Sequence, residues 1–323
     1  MAESLLSIKN SMPDPFAQGI VSLLWENSRI MPLLNFIPWQ GMSYPYPVLS
    51  KLPGIGFRSV NSSFAPTQSV INPAVENLSI LGGRIQTDRV IDKVKPNYRA
   101  NEIKRQMEAA GKFWDKQFIN GDPAVTDNSF MGLKSRISGN QLITPTASAN
   151  GSPVTMEDTI RLQDLVEGPN NQKILLMNQT IRRNLSHDVA KNAGGKRMLE
   201  DNGMQETGTQ VGAMGSRWQT FNGTPVIEVY YDEAEQPILP FTEVSGSSGA
   251  ACSSMYCFKP GNAIDERYVQ GISGMGFEGH FLIDGPINFG EYLLDVIQGI
   301  FGIGVFSGYG IARLQGLTAT NTG

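Results

Sequence analysis

Residues 44–66 read YPYPVLSKLPGIGFRSVNSSFAP, and this stretch decides the fold prediction. It mixes aromatic and β-branched residues with prolines, which favours extended backbone, and it precedes any segment that could form a core. A second extended pattern occupies residues 75–94, and the Ser, Pro and Asn between the two are typical of a flexible tip. We predict one long two-arm hairpin, each arm having about 15 residues and reaching roughly 50 Å.

The length of this hairpin has a consequence for its stability. A compact chain of 323 residues has a diameter of about 50 Å, so the hairpin would be as long as the body that carries it. A two-stranded ribbon is marginally stable in water on its own. Its apolar side chains therefore need a neighbour, and we expect another copy of the same protein to supply it.

The composition is that of a folded, turn-rich chain, with 40% hydrophobic and 17% charged residues, 35 glycines and 19 prolines. A formal net charge of −4 offers no basic surplus for wrapping nucleic acid. The N-terminal residues lack a secretory leader pattern, and no window approaches about 18 uninterrupted apolar residues. We expect no membrane association, a cytoplasm-like compartment, and free buried thiols at Cys252 and Cys257.

Helical spacing is clearest in residues 98–118, where an apolar stripe is interleaved with charged residues. The residues predicted to pack this helix are Ile103, Met107, Trp114 and Phe118. Shorter helices are predicted after Asp14-Pro15, after a weak capping box at Thr155 and Asp158, and from residue 179. Residues 173–178, KILLMN, predict a buried strand, and residues 196–216 predict a polar loop. The remainder contains mostly short strands, and because strands and helices do not alternate we predict an α+β fold.

Residues that could carry chemistry do not form a recognisable set. The histidines, His187 and His280, have no partner at metal-ligand spacing. The glycine runs 271–276 and 299–304 predict turns or strand bends, since neither matches a phosphate-binding loop. The carboxylate pairs Glu157-Asp158 and Asp232-Glu233 predict a solvated helix start and a solvated turn. A basic cluster (Arg182, Arg183, Lys191, Lys196 and Arg197) is interleaved with acids and predicts a solvated helix face. We therefore predict no catalytic residue, no cofactor and no metal.

The order of elements (arm, long hairpin, long helix, α+β middle, late strands) resembles that of the major capsid proteins of tailed double-stranded DNA bacteriophages, the Hong Kong 97 phage capsid fold. Four segments carry the local similarity: LPGIGFRSVN at 52–61, ENLSILGGRIQTDRVI at 76–91, FINGDPAVTDNSFMGLKSRI at 118–137 and YGIARLQGL at 309–317. The first two resemble the arms of the family's extended loop, the E-loop, and the third its spine-helix end. The last resembles its closing strand.

The resemblance implies a division into five parts. These are an N-terminal arm (1–40), the E-loop hairpin (41–93), a P-domain with the spine helix (94–140), an A-domain (141–285) and closing strands that return to the P-domain (286–323). It also implies contacts between subunits, for which we name Phe57, Arg58, Val60, Ile85 and Arg89 as candidates.

The resemblance implies a structural role and no enzymatic activity. Such a coat protein self-assembles through hexamers and pentamers into an icosahedral shell that encloses the phage double-stranded DNA without sequence-specific binding. Its place is the virion, assembled in the host bacterial cytoplasm, and its partners are further copies of itself, a portal, a decoration protein, and a separate scaffold or none. Some relatives cross-link a hairpin lysine; for Lys51 no matching acceptor is found, and we expect an ordinary exposed lysine.

Two alternatives remain open at this point. An encapsulin is a bacterial shell of the same fold that holds enzymes, and the nature of the cargo would distinguish it from a phage capsid. A ligand-binding or enzymatic α+β protein is the other alternative, built on the middle region. The missing catalytic set and the projecting hairpin both argue against the second.

Overall fold

The computed structural model describes residues 15–95, 97–148, 150–192, 199–201, 219–245, 249–261, 268–274 and 282–320. In these ranges the helices are α1 (Pro15–Asn27), α2 (Arg89–Val94), α3 (Tyr98–Asn120), α4 (Leu133–Arg136), α5 (Met156–Asp164) and α6 (Gln179–Asn192). The strands are β1 (Phe36–Pro38), β2 (Ser43–Lys51), β3 (Val70–Asn77), β4 (Ser79–Asp88), β5 (Leu142–Ile143), β6 (Ile174–Met177), β7 (Leu199–Asp201), β8 (Gln219–Phe221), β9 (Thr224–Glu228), β10 (Glu243–Ser245), β11 (Ala250–Phe258), β12 (Val269–Ser273), β13 (Leu282–Phe289), β14 (Tyr292–Val305) and β15 (Ile311–Thr318). The predicted α+β class is confirmed.

The long helix α3 is the centre of the largest hydrophobic cluster. Its four predicted packing residues are all buried, and Trp114 and Phe118 have no exposed surface. Phe118 meets Phe258 of β11 edge to face at 5.6 Å between ring centroids, and Trp114 lies 6.2 Å from Phe36 of β1. The helix therefore packs against strands of both large sheets described below.

The second half of the predicted N-terminal arm belongs to this same core. Helix α1 forms where it was predicted and packs against α3, with Leu24 fully buried. The chain after it contributes the buried side chains of Ile30, Met31, Leu34 and Phe36. Since β1 also pairs with β12 in parallel, residues 24–38 are a structural part of the body.

A five-stranded sheet is built around β14. This strand pairs with β4 along one side over ten residues, and with β12 and then β13 along the other. The prediction that residues 79–88 form part of the hairpin's second arm is therefore wrong. An alternating pattern indicates which residues share a face of a strand, but the strand that supplies the hydrogen bonds is set by tertiary contacts.

The eight-stranded sheet has the order β5-β15-β11-β6-β9-β8-β7, with β10 pairing with β11. Alternate residues of its central strand β6 enter different cores: Ile174 and Leu176 face α3, while Leu175 and Met177 face α5 and α6. The continuous apolar run KILLMN is thus explained by burial on both faces, as predicted.

Two of the predicted parts each contain strands of both large sheets. Strand β15 lies between β5 and β11 in the eight-stranded sheet, so only β13 and β14 of the predicted closing strands share a sheet with β4. Conversely, β12 lies in the five-stranded sheet although its residues fall in the predicted A-domain. Gly271 of β12 explains part of this placement, because a Cβ there would lie 2.4 Å from the Phe36 ring.

Candidate assembly surface

The hairpin exists but is shorter than predicted. Strands β2 and β3 pair from Ser43↔Asn77 to Lys51↔Val70, which at roughly 3.3 Å per residue gives a ribbon of about 30 Å. The predicted continuation of the second arm to Val94 is wrong, because Arg89–Val94 is helical. The Asp88 side chain caps this helix by accepting a hydrogen bond from the Val90 N–H at 2.7 Å. Asp is a favoured N-cap residue, so Asp88 was a sequence signal for the start of this helix.

An aromatic cluster fixes the base of the hairpin to the body. The Tyr46 ring lies edge to face against Phe306 at 4.8 Å, and Tyr44 lies in the same way against Trp39 at 5.1 Å. Leu78, at the end of the hairpin, is buried among them. These contacts account for the apolar residues at the start of the 44–66 stretch, Tyr44, Tyr46 and Val48.

A buried carboxylate also joins the base of the hairpin to the body, through charged hydrogen bonds. Glu76 of β3 is 8% exposed. Its carboxylate accepts hydrogen bonds from both terminal nitrogens of Arg136, at 2.6 and 2.7 Å, and from the Tyr46 hydroxyl at 3.0 Å. Arg136 also donates to the Ile303 carbonyl of β14 at 3.1 Å. Burial, followed by the charge of Glu76, raises the pKa of Tyr46 to about 12. The arrangement holds the hairpin at one angle to the five-stranded sheet.

The tip, residues 52–69, is exposed throughout. Phe57 and Val60, two of the predicted contact residues, are almost entirely open to solvent. Arg58, the third, donates to the Ser62 carbonyl at 2.9 Å and lies 5.6 Å from the Phe64 ring centroid, which shapes the turn. The tip's apolar side chains are therefore not covered by their own subunit.

Two other predicted contact residues lie elsewhere. Ile85 belongs to β4 and is buried in the core of its own subunit, so it is unavailable to a neighbour, and that prediction is wrong. Arg89 begins α2 and donates to the side chain of Asn288, which lies in β13 next to the β13–β14 turn, at 2.5 Å. The structure does not bring either residue to the tip.

Asp115 is one of the charged residues interleaved with the apolar stripe of 98–118, and its burial is not apparent from the sequence. Its carboxylate accepts hydrogen bonds from the Ser28 hydroxyl at 2.6 Å and from the backbone N–H groups of Arg29 and Ile30 at 2.8 and 3.3 Å. Burial raises its pKa to about 6, although these donors act in the opposite direction. Asp115 thereby ties the end of α1 to α3.

The predicted solvated carboxylate pairs are also partly buried. Asp158 is fully buried in the first turn of α5, where Thr155 caps the helix by accepting from the Asp158 N–H at 3.1 Å and its hydroxyl donates to the Asp158 carboxylate at 2.7 Å. Asp232 is buried, accepts backbone N–H groups of its own turn, and pairs with Lys116 at 2.9 Å. Both are satisfied structural acids. The prediction of solvation was wrong because local sequence does not reveal tertiary burial.

Other predicted features can be located within the described ranges. The glycines of 299–304 lie inside β14, not in a turn, and a Cβ on Gly302 would lie 2.4 Å from the Leu78 side chain. Arg182 pairs with Glu228, whereas Lys196, Arg197 and His280 fall outside the described residues, as does most of the predicted loop 196–216. Cys252 and Cys257 are free and buried, as predicted.

Among the described residues no group of three His, Cys, Asp or Glu side chains could hold a metal ion. No helix there is long and apolar enough to cross a membrane.

Comparisons with known proteins place the fold. No protein-family model and no curated protein matches the chain. Solved structures do match: the holo-SrpI encapsulin complex from Synechococcus elongatus PCC 7942 has a TM-score of 0.64 at 16% identity, covering 90% of this chain and 88% of that chain. The capsid of a native GTA particle gives 0.63 at 14% identity (90% and 91% covered), and Mycobacterium phage Bobi gives 0.56 at 13% (89% and 89%). The chain therefore has the Hong Kong 97 capsid fold that the sequence resemblance predicted.

Proposed function

We propose that this protein is a structural subunit that self-assembles into a closed shell and carries out no catalytic reaction. The observation that carries the proposal is the exposed apolar tip of the hairpin, on a fold shared with capsids and an encapsulin. Burying side chains such as Phe57 and Val60 contributes about 1.5–3 kcal/mol each, and only a neighbouring molecule can supply that burial. Repeated around a symmetry axis, weak contacts of this kind close into a stable assembly.

We assign the parts of the fold accordingly. The hairpin of β2 and β3 with its tip is the E-loop. The five-stranded sheet with α3 is the P-domain, α3 being its spine helix. The eight-stranded sheet with α5 and α6 is the A-domain, which we place around the hexamer and pentamer axes.

More specifically, we propose a phage major capsid protein whose icosahedral shell encloses double-stranded DNA. The phage-like order of elements and the phage capsids among its structural neighbours support this assignment. A net charge of −4 suits a container wall that need not bind its DNA tightly. On this proposal the protein resides in the virion, is assembled in the host bacterial cytoplasm, and works with a portal, a decoration protein, and a separate scaffold or none.

An encapsulin-type compartment is the second candidate, favoured by the TM-score of 0.64 to the SrpI encapsulin complex. The two candidates differ in cargo. Particles isolated from cells that encode the chain should hold nuclease-protected double-stranded DNA of genome length if it is a capsid. A stoichiometric enzyme cargo without such DNA would support the encapsulin and refute the capsid.

The shell function is tested by replacing residues 52–69 with an Asn-Gly turn, which should close β2 and β3 as a short hairpin. Sedimentation velocity and negative-stain electron microscopy should show closed shells for the wild type and only free subunits or small rings for the variant. Its circular dichroism should stay close to that of the wild type, because residues 52–69 are exposed throughout and contribute nothing to the buried core. Normal shells from the variant, or a wild type that stays monomeric, would refute the proposal.

A further inference from the structure

The ribbon formed by β2 and β3 has two outer edges. In the described part of the chain these two strands form a sheet of their own, in which each pairs only with the other. The outer edge of each strand therefore carries backbone groups that no neighbouring strand engages. Such edges are templates to which a strand of another molecule can add.

The prolines of this ribbon all lie at one type of strand pair. Pro47 is opposite Pro73, and Pro45 is opposite Val75. Two prolines cannot exchange N–H···O bonds, so Pro47↔Pro73 is a non-hydrogen-bonded pair. Pair types alternate along an antiparallel ladder, so Pro45↔Val75, two residues away, is of the same type. At such pairs the backbone nitrogens and carbonyls point away from the partner strand, toward the outer edges.

Two hydrogen bonds at the base of the ribbon agree with this alternation. The Leu78 N–H donates to the Met42 carbonyl at 2.8 Å, so the even-numbered pairs are the ones that bond between the strands. The odd-numbered Ser43 has its carbonyl outside the ribbon, where it accepts from Trp39 Nε1 at 2.8 Å. Odd-numbered positions of both strands therefore point to the outer edges.

The prolines leave gaps in the donors of both edges. On β2 the outward positions are 43, 45, 47 and 49, and the middle two have no N–H. The remaining donors, at 43 and 49, are about 20 Å apart. On β3 the donor is missing at position 73, between 71 and 75. A strand approaching either edge meets no regular row of N–H groups.

Packing within the subunit does not explain these prolines. All three are exposed, and the side chains that fix the ribbon to the body, such as Tyr44 and Tyr46, lie on the opposite face. Exposed strand positions favour β-branched residues, and proline is depleted there. The three prolines therefore occupy positions where both packing and strand propensity would accept another residue.

The ribbon has little other protection against strand addition. Its exposed face is apolar, with Ile71 60% and Val75 57% exposed. Its charged residues are Lys51, at the far end of β2, and Glu76, which is buried and paired with Arg136. An apolar ribbon with few charges and open edges would be a site of aggregation.

We propose that Pro45, Pro47 and Pro73 close the edges of the ribbon to strand addition, so that the hairpins of free subunits cannot pair through their backbones into aggregates. The excluded partner is a second copy of the same ribbon. The exposed side chains remain available for contacts, while the backbone is withheld. This inference concerns the single subunit and stands whether or not the chain closes into a shell.

Restoring the missing N–H groups tests the proposal. The variant Pro45→Thr/Pro47→Thr/Pro73→Thr places a β-branched residue with an N–H at each of these outward positions. Its subunits should form aggregates that bind thioflavin T at a concentration about tenfold or more below any at which the wild type does so. The reason is that each edge gains donors for an added strand. Sedimentation velocity should show the corresponding loss of separate subunits.

A lysine variant distinguishes strand addition from loosening of the hairpin. Pro45→Lys/Pro47→Lys/Pro73→Lys restores the same N–H groups but adds like charges, which oppose the approach of a second edge. These subunits should remain separate at low salt. Pro123→Thr, which replaces an exposed proline outside any strand, should behave as the wild type.

Hydrogen exchange identifies the surface that has associated. In aggregates of the threonine variant, the amides at positions 45, 47 and 73 should exchange about tenfold or more slowly than in separate subunits of the lysine variant. Aggregation of the threonine variant alone, with these amides protected, supports the proposal. Threonine subunits that stay separate, a lysine variant that aggregates equally, or unprotected amides at these positions would each overturn it.

Discussion

Replacing Glu76 with alanine should destabilise the subunit far more than the loss of an exposed carboxylate. The reason is the buried Arg136 guanidinium, which is only 12% exposed and would keep its charge without a counter-ion. Tyr46 would lose its acceptor in the same step. Removing one partner of a buried ion pair costs about 3–5 kcal/mol, so the free energy of unfolding should fall by that amount.

The measurement is urea denaturation followed by tryptophan fluorescence, on subunits kept below the concentration at which they assemble. A double-mutant cycle with Arg136→Met isolates the pair. Because the second substitution removes the uncompensated charge, the double variant should be more stable than the sum of the single losses predicts, by about 2 kcal/mol.

Glu108→Ala supplies the matched control. Glu108 pairs with Lys112 at 2.8 Å on the exposed face of α3, and its loss should cost only about 0.3–0.5 kcal/mol. If the free energy of unfolding of Glu76→Ala also lies within about 0.5 kcal/mol of the wild-type value, the Arg136 guanidinium must be hydrated in solution. The idea of a buried lock at the base of the hairpin would then be abandoned.

Two further predictions concern α3. Because burial raises the pKa of Asp115 from 3.8 to about 6, the folded chain binds this proton more tightly than the unfolded chain. Protonation of Asp115 should therefore contribute about 3 kcal/mol to the free energy of unfolding below pH 4, and this contribution should be lost as the pH rises through 6. Asp115→Asn should remove this part of the wild-type pH dependence, measured by urea denaturation at a series of pH values. An unchanged pH profile in the variant would contradict the prediction. Met107→Pro, in the buried middle of α3, should lower the free energy of unfolding by about 3 kcal/mol or more and prevent assembly. The control Met107→Leu should lower it by less than about 1.5 kcal/mol. Shells of the proline variant in electron micrographs would contradict the proposed role of α3 as the spine helix.

The candidate assembly surface could be predicted only in part from the sequence. The exposed tip with Phe57, Arg58 and Val60 follows from an extended segment whose apolar residues exceed what a thin ribbon can cover. Ile85 was misassigned because β4 carries the same alternating pattern as a hairpin strand while its partner is β14.

Local sequence determined the elements whose signals are short-range. The spacing from Ile103 to Phe118 determined a helix with one buried face, the Thr155 cap determined the start of α5, and the run KILLMN determined a doubly buried strand. Each of these rests on periodicity or on hydrogen bonds between near neighbours, which the chain specifies wherever it folds.

Only the tertiary structure decided the partners of these elements. It placed β15 in the eight-stranded sheet, turned the charge of Asp115 inward to hold α1, and paired Glu76 with an arginine 60 residues away. Backbone hydrogen bonds are the same for every strand, and a carboxylate has no preferred partner in sequence. Which strand or cation is nearest is therefore fixed by how the whole chain packs, and not by any segment of it.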